Sequence, residues 1–322
     1  RTKTYVERNL DMQTCNICIE TNEIANKDKT FACCLSSTNA YYFDEWENHP
    51  NFIFDMNLML DCVIEDYIEK GSKLPGLEKA VRFAKEHRSI GLGILAFCSF
   101  LQKKGIIFGE IASYAVNKRI FSKLRSESDR ASIWMAKHFG EPEMLKGYGY
   151  RNTTRLAQAP TKSTSYIMGG ETLNLSEGVE PHKSNYTSKK LAKIQSEVKN
   201  KELVDLLETK GKNTKEVWSS ILTHNGSVQH LDFIDEREKA IFRTFSEISQ
   251  VDVLKLAGQR AKLLDQGQSI NIMIHPDTPA SEINKLHMLA FDEGVKGLYY
   301  QYSINAAQEF NKELLTCSSC EA

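Results

Sequence analysis

Three polar residues at alternate positions near the start of the chain could act together chemically. Asn16, Cys18 and Glu20 lie in the run NICIE. In a β-strand, residues two apart share one face, so an amide, a thiol and a carboxylate would line one surface. Ile17 and Ile19 would then point to the other side. Such a surface could hold sugar hydroxyls with the thiol acting between them. A solvent-facing edge strand is the alternative interpretation.

The thiols concentrate at the two ends of the chain. Of the 8 cysteines, Cys62 and Cys98 lie in apolar helical patterns that are typical of small buried thiols. The remainder form two CxxC pairs and one adjacent pair: Cys15 with Cys18, Cys317 with Cys320, and Cys33 with Cys34.

Two kinds of chemistry compete for the CxxC pairs. A structural zinc site needs paired motifs at fitting separations, and the adjacent Cys33 and Cys34 have a poor chelating spacing. A CxxC near the end of the chain, on a polar tail, could instead swing into a cleft and exchange a disulfide with buried thiols. A chance pair in a disordered end remains the plain alternative.

Two further segments carry candidate binding or redox groups. The run APTKSTS offers several hydroxyls and backbone N–H groups, and a helix that began there would suit a phosphate; an ordinary Ser/Thr-rich loop is the alternative. The run LYYQ contains the adjacent residues Tyr299 and Tyr300, which would point to opposite faces of a strand. Strand tyrosines are also commonly packed without any chemical role.

Composition narrows the class of protein. The chain has 322 residues, of which 41% are hydrophobic and 26% charged, with a formal net charge of −1. These values are typical of a globular protein, and the near-neutral charge disfavours a nucleic-acid backbone as the main partner. No apolar run approaches the roughly 18 residues of a membrane span, and no secretory signal opens the sequence. We therefore expect a cytoplasmic protein without a membrane partner.

Helices alternate with short strands, which predicts an α/β protein. Strands are predicted at TCNICIE, FACCLSST, RLAQAP, QSINIMIHP and GVKGLYYQYS. Helices are predicted at 52–69, 75–87, 109–139 and 236–265, in the polar stretch 185–222, and from Pro279 to the stop at Gly294.

Taken in order, the motifs resemble one family. The runs CNICIE, FACCLSSTN, SIGLGILAF, APTKSTS, GVEP, LDQGQSINIMI and GLYYQ, followed by the C-terminal cysteine pair, are similar to the catalytic α chain of class I ribonucleotide reductase. The resemblance implies the C-terminal part of a ten-stranded α/β barrel over residues 1–306 and a flexible redox-active tail over 307–322.

The resemblance implies a role for each matched position. Cys18 would become the thiyl radical that removes the ribose 3′ hydrogen, Glu20 would act as general base at the 3′ hydroxyl, and Asn16 would hydrogen-bond the sugar. Cys33 matches the buried redox cysteine that helps to deliver two electrons to the 2′ carbon. Because water would quench a thiyl radical, we expect Cys18 to lie deep in the barrel.

The remaining matches concern radical transfer, substrate and re-reduction. Tyr299 and Tyr300 match the paired tyrosines that hand the radical to the cysteine. The substrate-phosphate loop would comprise Pro160, Thr161, Lys162, Ser163, Thr164 and Ser165. Cys317 and Cys320 match the tail pair that reduces the active-site disulfide.

The resemblance also implies partners. The radical metallocofactor would belong to a small subunit, with no cofactor or metal bound by this chain. Electrons would come from thioredoxin or glutaredoxin, and the substrate would be a ribonucleoside diphosphate.

The family's large subunit is over twice this length, and its N-terminal half carries a second redox cysteine and the allosteric sites. A strained vicinal disulfide makes Cys34 a poor substitute for that cysteine. We therefore expect a split or truncated large subunit that needs an N-terminal fragment. A catalytically inactive assembly or regulatory fragment is the alternative.

Overall fold

The computed structural model describes Tyr5 and residues 12–170, 173–191 and 194–303. Its helices are α1 (Phe43–Trp46), α2 (Phe52–Gly71), α3 (Glu78–His87), α4 (Phe97–Lys103), α5 (Ile111–Phe139), α6 (Lys162–Gly169), α7 (Lys201–Thr209), α8 (Lys215–Thr223), α9 (Glu236–Ile241), α10 (Gln250–Ala261) and α11 (Ala280–Asp292). Short 3-10 turns cover Ala40–Tyr42, Glu143–Leu145 and Phe245–Glu247.

The strands are short and pair in twos. They are β1 (Thr14–Cys15), β2 (Asn22–Glu23), β3 (Leu35–Asn39), β4 (Gly91–Leu95), β5 (Tyr186–Leu191), β6 (Ile194–Lys199), β7 (Ile272–Ile274) and β8 (Gln301–Ser303). The pairs β1–β2 and β5–β6 are antiparallel hairpins, whereas β3–β4 and β7–β8 are parallel.

Single bridges join the two parallel pairs into one row. Leu92 in β4 bridges Leu156, and Gln158 bridges Gln268, both in parallel orientation. Five segments therefore lie side by side in the order 35–39, 91–95, 156–158, 268–274 and 301–303. Parallel strands need long crossovers, and helices such as α2, α3 and α5 lie in those connections.

Two glycines explain how closely the row packs at β4. A Cβ added to Gly91 would lie 2.4 Å from the Leu35 side chain, and one added to Gly93 would lie 2.5 Å from the Ala157 carbonyl oxygen. Any larger residue at either position would push the neighbouring segments apart. The glycine pattern of SIGLGILAF thus reflects backbone contact on both sides of a fully buried strand.

The main core lies between this row and the long helices. Leu60 on α2, Leu124 on α5 and Leu254 on α10 are buried against Ile94 of β4 in one continuous cluster. Each such side chain stabilises the fold by roughly 1.5–3 kcal/mol through burial, and its truncation to alanine costs about 2–5 kcal/mol. The helical spacing of apolar residues in the sequence marks these faces, and the helices at 52–69, 75–87 and 109–139 are confirmed with small shifts in their ends.

A second apolar cluster forms around Trp218. The hairpin β5–β6 packs with helices α7 to α9 through Leu203, Leu207, Ile221 and Phe242. The prediction of a wholly helical stretch over 185–222 is wrong at its start, because residues 186–199 form this hairpin. Neighbouring residues there alternate between the two faces, as in a strand: Val198 is buried while Glu197 is exposed.

Other predictions also need correction. Cys98 is buried as expected, but Cys62 is exposed on the outer face of α2. The predicted final strand contains β8 only over Gln301–Ser303, so the paired tyrosines precede it. In the part of the chain that the structure describes, no helix has both the length and the apolar character needed to cross a membrane.

Candidate active site

The predicted radical cysteine lies in a turn rather than a strand. Residues 16–21, here called the cysteine loop, connect β1 to β2. The Ile19 N–H donates to the Asn16 carbonyl oxygen at 3.0 Å, and Ile19 has a positive φ of 73°. The prediction of one strand over TCNICIE, with Asn16, Cys18 and Glu20 on a shared face, is therefore wrong.

The Asn16 side chain explains the turn. Its Oδ1 accepts a hydrogen bond of 3.0 Å from the Thr21 N–H, and the backbone N–H of Asn16 donates to the Thr21 carbonyl oxygen at 2.9 Å. Asparagine favours turns because its side chain hydrogen-bonds nearby backbone groups. The loop closes on itself, and Asn16 and Glu20 meet across it instead of along a strand.

A second segment, residues 266–269, holds the cysteine loop from behind and is here called the strap. The Gly267 N–H donates to the Glu20 carbonyl oxygen at 2.7 Å, and the Asn22 N–H donates to Gln266 Oε1 at 2.9 Å. A Cβ on Gly267 would lie 2.6 Å from both the Ile19 carbonyl oxygen and Asn22 Nδ2. Only glycine permits so close an approach.

Each oxygen of the Glu20 carboxyl group meets one hydrogen-bonding side chain. Asn16 Nδ2 donates to Oε1 at 2.8 Å, and the Ser269 hydroxyl lies 2.9 Å from Oε2. Glu20 is only 1% exposed, so these contacts replace water. The arrangement fixes a proton acceptor beside the Cys18 turn, which is the geometry that general base chemistry requires.

Cys33 belongs to the same cluster, but the residue is exposed in this chain, so its expected burial is wrong for the part that the structure describes. Partial burial raises the pKa of its thiol, and the nearby Glu20 and Cys18 raise it further, while hydrogen bonding to Thr21 and Asn16 acts in the opposite direction. The Cys33 thiol therefore ionises at a higher pH than an ordinary cysteine thiol.

Cys34 faces a different part of the molecule. Its Sγ lies 3.6 Å from the Leu60 carbonyl oxygen on α2, and burial raises the pKa of this thiol to about 11. Neighbouring residues on an extended segment point apart, as this pair does.

The paired tyrosines reach the cysteine loop. Their rings lie 4.0 Å apart between centroids, so the expectation that they point to opposite faces is wrong. Hydrogen bonding to Tyr300 and to Cys18 raises the pKa of the Tyr299 hydroxyl. Tyr300 thus contacts Tyr299, and the Tyr299 hydroxyl in turn lies beside Cys18.

Backbone contacts fix the tyrosines. The Tyr299 N–H donates to the Ile270 carbonyl oxygen at 2.8 Å, and the Tyr300 N–H donates to Asn271 Oδ1 at 3.0 Å. The Asn271 amide in turn donates to the buried Glu180 at 2.9 Å. Tyr300 is half exposed, which leaves the outer end of the line open.

The predicted phosphate loop opens helix α6, with Pro160 directly before its cap. Thr161 caps the helix with φ of 57°, and its hydroxyl accepts from the Gly178 N–H at 2.7 Å. The Ser165 hydroxyl donates to the Ser176 carbonyl oxygen at 3.2 Å. These two buried hydroxyls hold the loop, whereas Lys162, Ser163 and Thr164 are exposed in the first turn. Their side chains and the free N–H groups of the turn form a potential anion site.

The segment that leads to the predicted phosphate loop lies beside the strap. The Gln158 N–H donates to the Gly267 carbonyl oxygen at 3.1 Å, and the Ser269 N–H donates to the Gln158 carbonyl oxygen at 2.9 Å. The segment leading to Pro160 is therefore bonded to the strap that holds the cysteine loop.

Cys317 and Cys320 lie outside the described residues, so their predicted redox role stays a prediction. Among the residues that the structure does describe, no group of three or more His, Cys, Asp or Glu side chains is arranged to hold a metal ion. Cys15 is exposed and pairs with Asn22 in the hairpin, which separates it from the side of the loop that carries Glu20.

Comparison with known proteins places the chain in a family. The family model described as "Ribonucleotide reductase, barrel domain" matches residues 2–144 and 142–301. The chain belongs to this family. The expected α/β class and the relationship to ribonucleotide reductase are thereby confirmed.

Individual ribonucleotide reductases are similar over most of the chain but only part of their own length. The ribonucleoside-diphosphate reductase large subunit of Invertebrate iridescent virus 6 is 41% identical over 276 residues, covering 84% of this chain and 28% of that protein. The large subunit of Invertebrate iridescent virus 3 is 35% identical over 294 residues, covering 90% of this chain and 46% of that protein. The chain therefore spans less than half the length of these two relatives.

A solved structure shows the same likeness in three dimensions. The Actinobacillus ureae class Id ribonucleotide reductase alpha subunit aligns with a TM-score of 0.88 at 45% identity, covering 95% of this chain and 56% of that chain. The row of parallel segments described above is thus part of a ribonucleotide reductase barrel domain.

Sequence reasoning assigned no role to several residues that build this candidate site. Gln266, Gly267 and Ser269 hold the cysteine loop, and Asn271 links the tyrosines to Glu180. One signal was present: the apolar strand-like run LDQGQSINIMI contains repeated polar residues, and Gln266, Gln268, Ser269 and Asn271 are all buried. Buried polar residues need partners, so such a run indicates a structured polar site.

Proposed function

We propose that this chain carries the catalytic core of a reductase that converts ribonucleoside diphosphates to deoxyribonucleoside diphosphates by a thiyl-radical mechanism. The observation that carries the proposal is the continuous contact from Tyr300 through Tyr299 to Cys18, with the Glu20 carboxylate held beside it. An electron and a proton leaving Cys18 along this line would create the radical at the thiol.

The cysteine loop would perform the first chemical step. The Cys18 radical takes the 3′ hydrogen atom of the ribose, so that the thiol re-forms and the sugar carries the unpaired electron. Glu20 accepts the proton of the 3′ hydroxyl while the 2′ hydroxyl takes the thiol proton of Cys33 and leaves as water, so Glu20 acts as a short-range general base. Asn16 holds the Glu20 carboxylate through its amide and is placed to contact the sugar.

Cys33 would supply reducing equivalents for the second step. Two electrons reach the 2′ carbon when Cys33 and a second thiol are oxidised to a disulfide. Cys34 is turned toward α2, so we assign the second thiol to the part of the large subunit that this chain does not cover. Cys317 and Cys320 would then reduce that disulfide by exchange and be reduced in turn by thioredoxin or glutaredoxin.

The first turn of α6 would bind the substrate phosphates. Lys162, Ser163 and Thr164 present exposed polar groups there, and the turn's backbone N–H groups favour negative charge. Thr161 and Ser165 hold the turn in place from within. This site lies beside the strap, so a nucleotide bound by its phosphates could extend its ribose toward Cys18.

The activity would depend on partners. We assign the radical metallocofactor to a small subunit that meets the exposed Tyr300, and the remaining barrel and regulatory sites to the rest of the large subunit. The alternative function is an inactive assembly or regulatory fragment. The presence of Asn16, Cys18, Glu20, Cys33 and both tyrosines in contact favours catalysis.

Reconstitution tests the proposal. The chain is combined with the missing part of the large subunit and a small subunit, and deoxynucleotide formation is measured. Cys18→Ser should abolish turnover, whereas Cys15→Ser, a change at an exposed thiol three positions earlier, should leave it unchanged. Equal turnover in the native chain and Cys18→Ser would favour the inactive-fragment alternative. Turnover without the missing part would refute the dependence on a complementing segment.

A further inference from the structure

The Ser269 hydroxyl occupies a position between the proposed radical cysteine and its proposed base. Its Oγ lies 2.6 Å from the Cys18 carbonyl oxygen and 2.9 Å from Glu20 Oε2, and the residue is 3% exposed. A serine hydroxyl carries a single proton, so it donates to one of these two acceptors at a time.

The choice between the two acceptors depends on the state of Glu20. When Glu20 is ionised, the Ser269 proton satisfies Oε2, while Asn16 satisfies Oε1. When Glu20 has taken a proton on Oε2, its O–H donates to Ser269 Oγ, and the serine turns its own proton to the Cys18 carbonyl oxygen. The hydrogen-bond count of the buried carboxyl group is therefore kept in both states.

We propose that Ser269 is a positioning residue that gives Glu20 a partner in both protonation states and links each proton uptake to the backbone of Cys18. This inference rests on the proposed role of Glu20 as general base. A buried acid that lost its partner on protonation would have to reorganise at each turnover, whereas this hydroxyl only rotates.

The backbone around Ser269 is rigid enough for this role. The Ser269 N–H is bonded to the Gln158 carbonyl oxygen, and the Ile270 N–H donates to the Gln268 carbonyl oxygen at 3.0 Å. The Gln268 side chain is itself fixed, since its Oε1 accepts from Arg260 Nε at 2.6 Å. Rotation of the hydroxyl is thus the available motion.

Several titratable groups lie on the segments around the cysteine loop and the strap. The thiols of Cys18 and Cys33 come from the cysteine loop and the segment before β3. Asp265 precedes the strap and is paired with Arg125 at 2.6 Å. Lys296 donates to the carbonyl oxygens of Asp265 and Gln266 from the segment before the tyrosines. None of these groups is altered by a substitution at Ser269.

The test compares Ser269→Ala with Ser269→Thr, which keeps the hydroxyl. In the isolated chain, the carboxyl band of Glu20 is followed by infrared spectroscopy against pH, with Glu20→Gln as the subtraction reference. Removal of the hydroxyl takes a hydrogen bond from both forms of Glu20, but the bond to the ionised form is the stronger one. The midpoint should therefore rise by about one pH unit in Ser269→Ala. Ser269→Thr should restore the midpoint.

The assembled reductase gives the second measurement. The acid limb of its pH–rate profile should move to higher pH by the same amount in Ser269→Ala. Ser132→Ala, which removes a buried hydroxyl bonded to Asn152 on another face, should leave the limb in place. A merely structural role for Ser269 would lower turnover equally at every pH.

The outcomes distinguish a failure of the Ser269 inference from a failure of the proposed function. An unchanged infrared midpoint in Ser269→Ala overturns the inference. If that variant does not fold, Ser269→Cys, with a weaker S–H donor of similar size, should shift the midpoint in the same direction, and an unchanged midpoint is again decisive. A shifted midpoint in a chain whose native assembly shows no turnover supports the hydrogen-bond switch and overturns the proposed function.

Discussion

Two buried carboxyl groups three residues apart serve different purposes. Glu20 contacts Asn16 and Ser269 and faces the candidate active site. Glu23 on β2 contacts only hydroxyl groups among its described partners: Tyr5, Ser89 and Thr154. No cation in the described chain balances Glu23, and burial raises its pKa to about 7. Glu23 therefore ties β2 to its neighbours through hydroxyl groups and titrates near pH 7.

This difference predicts a stability effect of Glu23. Its folded pKa of about 7 exceeds the ordinary value of 4.5, so the folded state binds more protons than the unfolded state between these pH values. The free energy of unfolding should thus fall as the pH rises from about 4.5 through 7, by on the order of 2–3 kcal/mol for this group. Glu23→Gln should remove that part of the slope.

Denaturant unfolding at several pH values measures the effect. Glu69→Gln, at an exposed position on α2, is the matched control and should keep the native slope. Glu180 has a pKa raised to about 7 by burial as well, so a shallower slope of the same sign should remain in Glu23→Gln. A variant with the full native slope would contradict the prediction.

At the scale of elements, the site depends on contacts between segments that are far apart in sequence. The alternation in NICIE predicts a strand, but the bonds from Asn16 to Thr21 and from the strap to Glu20 impose a turn. Long helices such as α2 and α5 were predictable because their apolar spacing is a local signal. Segments 156–158 and 268 join the sheet through single bridges, which no local pattern reveals.

The residue types of the site were therefore predictable, and their arrangement was not. Cys18, Glu20, Cys33 and the tyrosines were found from motifs whose chemistry is visible in the sequence. Ser269 and Gly267 were missed because their importance arises from contacts with residues about 250 positions earlier. Only the fold brings these partners together.

The close fit of the strap predicts a specific loss of function. Gly267→Ala places a methyl group 2.6 Å from the Ile19 carbonyl oxygen, so the cysteine loop must move away. A displacement near 1 Å at the reacting groups lowers turnover on the order of 10²-fold. Gly169→Ala, whose Cβ meets nothing closer than 3.5 Å, is the control. Turnover of the reconstituted enzyme and thermal unfolding are measured together, and native turnover in Gly267→Ala would contradict the prediction.

The α6 turn predicts an effect on substrate binding. Ser163→Asp places a carboxylate among the first-turn N–H groups, where it repels and displaces the substrate phosphates. KM for the nucleoside diphosphate should rise on the order of tenfold, with a smaller change in kcat. Ile167→Asp, at a 77% exposed position one turn later, should leave KM near the native value. An equal rise in both variants would argue for a general charge effect rather than a phosphate site.

At the scale of the whole molecule, the candidate site is open in its surroundings. Cys18 is half-buried, short of the deep burial expected of a radical thiol, and the adjacent Ile17 is 86% exposed. The chain covers only 56% of the Actinobacillus ureae alpha subunit that it resembles. An exposed isoleucine beside the radical position therefore fits our proposal that the rest of the large subunit closes over this loop and brings the second redox thiol.

That proposal predicts which cysteine is oxidised by a single turnover. In an assembled enzyme carrying Cys317→Ser and Cys320→Ser, the tail cannot reduce the active site, so one turnover without external reductant should leave Cys33 oxidised. Mass spectrometry after maleimide labelling should then show Cys33 protected, joined by a disulfide to a cysteine of the complementing segment. The exposed Cys62 should stay reactive as the internal control. A fully reactive Cys33 after product has formed would show that the electrons come from elsewhere, and a Cys33–Cys34 disulfide would show that this chain carries both redox thiols itself.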